Sequence, residues 1–228
     1  MKSLNIKIVG MGGIGCCLFP CLARYLQFQS SRNARITLID GDAYEQRNQE
    51  RQSFGSIGNK AEVKAKELAS EFPSISFHGI GEYLNDKNAI EFIRESDVVF
   101  SCVDSKFVLT RKYISDRALE LDDVLVLSGG NELTSGNARF HLRETGKNLT
   151  LPLANKYHPE IENPRGVDEP QPGCGVRVKN EPQIVLMNNL VAAIMLSGFY
   201  AFLQGKLDYD EVYMDMLTGN VRTIRRKR

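Results

Sequence analysis

Residues 9–17 read VGMGGIGCC, placing Gly10, Gly12, Gly13 and Gly15 within six positions. They follow the apolar run IKIVG and precede a helix-like stretch from Ile14 to Phe28. A glycine loop between strand and helix lets backbone approach an anion closely, with helix-end N–H groups facing it. By itself the loop fits NAD, FAD, S-adenosylmethionine or ATP, or merely a tight turn. Asp40 closes a second apolar run, RITLID, where an acid commonly hydrogen-bonds ribose hydroxyls. No GxxxxGK[ST] loop occurs in the sequence, which sets P-loop phosphoryl transfer aside. Cys174 lies between Gly173 and Gly175, with Arg177 and Lys179 close by. Mobility and positive charge are what a reactive thiolate needs.

Other polar residues carry less. Cys16, Cys17 and Cys21 share one presumed helix, but no second cluster or matching histidines complete a tetrahedral metal site. They are expected to pack, as is Cys102 in a strand. His78, His141 and His158 belong to no recognisable triad and are expected at the surface or in packing. The tail RTIRRKR reads as a solvated strand end.

The elements that would hold these groups alternate. Strands are expected at 6–10, 35–40, 75–80, 97–104 and 124–129. Helices are expected at 14–28, 60–72, 88–96 and 107–120. Such alternation predicts a Rossmann-like, doubly wound, mostly parallel α/β sheet with helices on both faces. The polar clusters after Val9, Ile39 and Val103 then fall at strand carboxyl ends, where ligands gather in such sheets. A further strand is expected at 137–144, then a long crossover loop at about 145–182 containing six of the eight prolines. Loops of that length are usually functional or disordered. An apolar helix at 183–204 and a C-terminal β-hairpin turning at Gly219 and Asn220 complete one domain spanning 1–228.

The chain has 228 residues, 42% of them hydrophobic and 25% charged, with 29 basic and 28 acidic side chains giving a net charge of +1. This balance offers no field for nucleic acid or an anionic membrane. Five cysteines without regular pairing argue against a disulfide framework. The apolar helix carries Asn188 and Asn189 side by side, costly in hydrocarbon, so burial in the core or a subunit interface is expected rather than a membrane. The N-terminus lacks a secretory pattern, and a cytoplasmic location is expected.

Several stretches together are more specific than the loop. LIDGDAYEQRNQERQSF holds Asp40-Gly41-Asp42 and the run Asn48, Arg51, Gln52; IGNKAEVKAKEL holds Gly58 and Lys60; SCVDS holds Asp104. With the glycine loop, and in this order, they resemble the ThiF/MoeB/ubiquitin-E1 adenylation family. The resemblance implies an enzyme that uses ATP and Mg²⁺ to adenylate the C-terminal carboxylate of a ubiquitin-like or sulfur-carrier protein ending in Gly-Gly. It assigns Arg51 and Lys60 to the phosphates, Asp104 to Mg²⁺ and Asp40 to the ribose. Asn48 and Gln52 would orient the ligand, while Asp42 and Arg111 match family positions. These types suit the task, because anionic attack on a triphosphate needs cations matched to the developing charge. Cys174 matches the loop cysteine that, in many members, takes the acyl group from the adenylate.

Two departures stand beside the resemblance. Many relatives carry paired Cys-x-x-Cys motifs for structural zinc, and this sequence has none, so no structural zinc is expected. Relatives often supply an arginine from an N-terminal helix to the partner protomer's ATP site; here the first strand begins by about Ile6, leaving that donor to come from elsewhere. Compact length and absent zinc pairs lean toward a bacterial ubiquitin-like conjugation pathway. A homodimer and an E2-like partner are further expectations. The alternatives are an NAD(P)-binding Rossmann oxidoreductase and a non-catalytic E1-like scaffold subunit.

Overall fold

The computed structural model describes residues 4–29, 33–50, 53–103, 108–163 and 184–226. Five parallel strands form its first half: β1 (Leu4–Val9), β2 (Ala34–Ile39), β3 (Ser76–Ile80), β4 (Val98–Ser101) and β5 (Val124–Asn131), ordered β3-β2-β1-β4-β5. The inner strands are the more deeply buried, as parallel strands covered on both faces require; all four residues of β4 are buried, while the edge strand β3 has none fully buried. The sheet continues antiparallel through β6 (Ser135–Glu144) to the hairpin β8 (Glu211–Asp215) and β9 (Asn220–Ile224). The two-residue β7 (Lys147–Asn148) pairs on β6. The parallel core with its antiparallel flank gives the expected doubly wound class.

Helices cover both faces. On one side α1 (Gly13–Gln27), α2 (Lys60–Glu71) and α6 (Ile184–Leu203) close a core containing Ile6, Ile8, Leu22, Leu38, Phe100 and Phe140. On the other, α3 (Ala89–Phe92), α4 (Val108–Leu119) and α5 (Pro159–Glu162) cover Val9, Ile39, Val99 and Val126. Pro20 lies inside α1 and has no N–H for the carbonyl one turn earlier. Helix α6 is long and apolar enough, by length and composition, to cross a membrane. Its inner residues Met187, Val191, Met195 and Phe199 are instead buried against the sheet and α1. Gly198 lets it lie on Phe140, whose ring would be 2.0 Å from a Cβ there.

Two expectations need correction. The helix expected at 88–96 shrinks to Ala89–Phe92, and Ser96 adopts a positive φ of 64°. Asp97 accepts from Arg94 N–H at 2.8 Å, closing that turn early. The stretch expected as a long loop is structured as far as residue 163: β7 joins the sheet, and Leu153 and Ile161 are buried beneath α4. Two buried apolar side chains anchor what its prolines and polar residues suggested was free. Residues 164–182 of that expected loop lie outside the described residues.

Candidate functional site

The site is built at the carboxyl ends of β1 and β2. Gly10 turns the chain with φ +92°, and a Cβ there would sit 2.9 Å from the Cys102 carbonyl group. A Cβ on Gly13 would lie 2.2 Å from Asn188 Nδ2, and one on Gly15 would lie 2.2 Å from Gly10 O. Three glycines are therefore explained by the protein's own close packing. Gly12 is not: a Cβ there meets nothing within 4 Å. It is also the N-cap of α1, with no side-chain cap bond. Room beside Gly12 thus lies at the start of a 15-residue helix, the place where helix N–H groups receive an anion.

Asp40 braces this loop. Its Oδ2 accepts from Met11 N at 2.6 Å and its Oδ1 from Asp42 N at 2.8 Å. Burial pushes its carboxyl above the ordinary range, against the pull of Lys60 and the two backbone donors. Asp42 is more open. Its Oδ2 accepts from Lys60 Nζ at 3.0 Å, and its Oδ1 accepts from the Tyr83 hydroxyl. Burial would raise this carboxyl, but Tyr83 and Lys60 together outweigh it and hold it below the usual range.

Asn59 locks the turn onto α2. Its Nδ2 donates to the carbonyls of Asp40 (2.8 Å) and Asp42 (3.1 Å), while its Oδ1 accepts from Glu62 N at 3.1 Å. One side chain is thus both the helix cap and the clamp that aims Lys60 at Asp42. Lys60 is buried to 8% exposure, so its ammonium needs a partner. One turn on, buried Lys64 pairs with Glu67 at 2.7 Å, and Glu67 accepts from Gly55 N at 2.6 Å. Tyr44 is buried, stacks on Phe54 at 4.3 Å and lies 3.3 Å from Cys16 Sγ.

Of the sequence-predicted residues, the glycines, Asp40, Asp42 and Lys60 come together. Asn48 is turned inward on its own segment, its Oδ1 accepting from Glu45 N at 2.9 Å. Arg111 is buried and donates from Nη2 to the carbonyls of Val103 (2.7 Å) and Gly129 (3.1 Å), tying the ends of β4 and β5. Arg51, Gln52, Asp104 and Cys174 lie outside the described residues, as do Arg177 and Lys179. Asn59 and Tyr83 were missed. Asn59 could have been found as an N-cap ahead of a helical run; nothing local to Tyr83 marks it.

A second polar cluster lies across the sheet. Glu211 is buried and accepts from Asn137 Nδ2 at 2.8 Å and Arg226 Nη2 at 3.2 Å, with His158 Nε2 at 3.3 Å. The other ring nitrogen of His158 lies 3.2 Å from Glu160 Oε1. The Arg226 guanidinium also covers the Tyr157 ring at 4.1 Å, a cation–π contact. Burial would raise the Glu211 carboxyl, yet these partners draw it down to about 2.

Comparison with known proteins decides the family. The model of the ThiF family matches residues 1–228. The chain belongs to the ThiF family. Within it, the chain is similar to the adenylyltransferase and sulfurtransferase UBA4 of Kluyveromyces lactis, 24% identical over 177 residues, 76% of this chain and 37% of that protein. It is also similar to the adenylyltransferase and sulfurtransferase MOCS3 of Drosophila yakuba, 35% identical over 130 residues, 55% of this chain and 27% of that protein. The matches thus span well under half of these curated relatives. Among solved structures, E. coli MccB with ATP superposes with a TM-score of 0.71 at 21% identity, covering 100% of this chain and 65% of that one. MccB with AMPCPP and MccA gives 0.69 at 20% identity, covering 99% and 64%. At that identity the likeness is one of fold alone.

Proposed function

We propose that this ThiF-family chain adenylates the C-terminal carboxylate of a ubiquitin-like or sulfur-carrier protein. The observation that carries the reading is Lys60, buried and aimed by Asn59 onto the turn that Asp40 ties to the glycine loop. ATP would lie with its phosphates at the open N-terminus of α1 beside Gly12. The carrier carboxylate attacks the α-phosphorus, the bond to the bridging oxygen breaks, pyrophosphate leaves and an acyl-adenylate remains. Lys60, with Arg51, offsets the phosphate charge. Such a site needs no all-protein metal cage, since Mg²⁺ is usually held by one or two carboxylates together with substrate phosphates. Among the described residues no group of three His, Cys, Asp or Glu side chains is placed to hold a metal; Asp104 is the carboxylate assigned to it. When bound, Mg²⁺ supplies charge neutralisation at the phosphate oxygens.

In a second step the Cys174 thiolate attacks the acyl carbon, AMP leaves, and a thioester forms. The names of UBA4 and MOCS3 support adenylation with sulfur transfer; a bacterial ubiquitin-like pathway with an E2-like acceptor would use the same first step. A homodimer is part of the same reading, and an apolar face supports it. Helix α6 has no charged residue along its 20 positions, yet Leu186, Leu190 and Tyr200 are exposed on its outer side. An apolar stripe of that kind is normally covered.

The test is ATP–pyrophosphate exchange with candidate carriers ending in Gly-Gly. Exchange by the wild type, its loss in Asp104→Ala, and a Cys174→Ala protein that keeps exchange but forms no reducible carrier adduct are expected. Absence of exchange with every carrier, accompanied by tight NADH binding and no ATP binding, would replace this reading with the oxidoreductase one.

A further inference from the structure

Three elements meet on the Asp42 carboxylate: its own turn after β2, the start of α2 through Lys60, and the segment after β3 through Tyr83. The ring of Tyr83 lies directly over Gly41, where a Cβ would be 2.5 Å from it. Yet Tyr83 is 44% exposed, so packing alone does not explain its place at the rim. What the residue offers inward is its hydroxyl, aimed at Oδ1, while Lys60 occupies Oδ2.

This arrangement sets a problem of exchange. Lys60 is nearly buried and its ammonium rests on Asp42. To act on a phosphate it must give up some or all of that contact. The Asp42 carboxylate, with a side chain only 34% exposed, would then keep its charge in a half-buried place without a cation, which is unfavourable. A second donor that stays in place lowers that penalty. A phenol hydroxyl suits the purpose, being a strong donor to an anion without a charge to compete for the phosphate.

We propose that Tyr83 is a positioning residue, whose hydroxyl holds the Asp42 carboxylate while Lys60 passes its ammonium from that carboxylate to a phosphate of ATP. The inference rests on the ATP reading given above. Tyr83 acts through Asp42 and Lys60, and its effect is on how well the site accepts the triphosphate. Removing the hydroxyl leaves Lys60 more firmly committed to Asp42 and weakens the nucleotide complex.

The experiment is calorimetric titration with ATP and magnesium of the wild type, Tyr83→Phe, Asp42→Asn and the double variant. Phenylalanine keeps the ring over Gly41 and deletes only the donor. Tyr83→Phe is expected to weaken ATP binding about tenfold, the scale of one hydrogen bond to a charged group. In the Asp42→Asn background the same change is expected to have almost no effect, because no carboxylate is left to hold. A general structural role for Tyr83 would instead weaken binding equally in both backgrounds. Equal losses, or a Tyr83→Phe protein that binds as the wild type does, would overturn the inference and leave the proposed function standing. A wild type that binds no ATP with magnesium would overturn that function, and this inference with it.

Discussion

Asp40, at the carboxyl end of β2, and Glu211, at the start of β8, are both buried carboxylates, at 9% and 5% exposure. Asp40 has backbone N–H groups as its direct partners, and burial drives its carboxyl upward. Glu211 has an amide, an imidazole and a guanidinium, and they outweigh its burial to bring it down to about 2. The lesson is that the direction of the shift is a balance: burial prevails over the partners at Asp40, and the partners prevail over burial at Glu211. One region keeps an acid under tension beside an open helix end. The other uses an acid to bind the 155–160 segment and residue 226 to the sheet.

The sharpest way to break this division is Lys60→Met. Pyrophosphate exchange should fall by about 10²–10³-fold, the usual effect of removing one group that stabilises developing charge. Retained exchange would move the site elsewhere. Next is Glu211→Ala, which leaves its partners uncompensated and should destabilise the protein by about 3 kcal/mol, lowering the thermal midpoint by about 6–12 °C. ATP affinity measured below that midpoint should not change; a parallel fall would join the two regions into one.

The two acids should also answer pH oppositely. Glu211 contributes stability fully above its ordinary value of 4.5 and loses that contribution as pH falls toward about 2. Denaturation of Glu211→Gln followed across that window should be flatter than the wild type's. The contribution of Asp40, whose carboxyl is raised, is complete below its ordinary value of 3.8 and is lost as pH rises through the folded one. The smallest effect contrasts two neighbours. Gly13→Ala should cost about 1–3 kcal/mol through overlap with Asn188. Gly12→Ala should unfold within about 0.5 kcal/mol of the wild type but bind ATP several-fold more weakly. Unchanged affinity in Gly12→Ala would remove the α1 terminus from the phosphate site.

Much of the first region was readable in the sequence because its signals are local. Glycines between a strand and a helix, and acids at strand ends, follow from chain direction and sheet topology. Lys60 came through the resemblance to the ThiF/MoeB/ubiquitin-E1 family, and Asn59 was missed although its place ahead of a helical run marks a cap. Tyr83 was not readable, since its meeting with Asp42 depends on how far the chain runs after β3 before turning. The Glu211 cluster was hidden for the same reason. Asn137, His158, Glu211 and Arg226 come from β6, the cap of α5, β8 and the stretch just after β9, and no single stretch encodes their meeting. His158 looked ordinary because the buried acid it meets, Glu211, is 53 positions away along the chain. The expected loop beyond residue 145 was misjudged where Leu153 and Ile161, scattered among prolines, proved buried.

Gly13 and Asn188 have a consequence for how such a chain changes over generations. The amide of residue 188 fills the volume that any side chain at 13 would take, so the two positions share one fixed space. A larger residue at 13 demands a smaller one at 188. Inheritance should therefore treat this pair, though 175 positions apart in the sequence, as a single character.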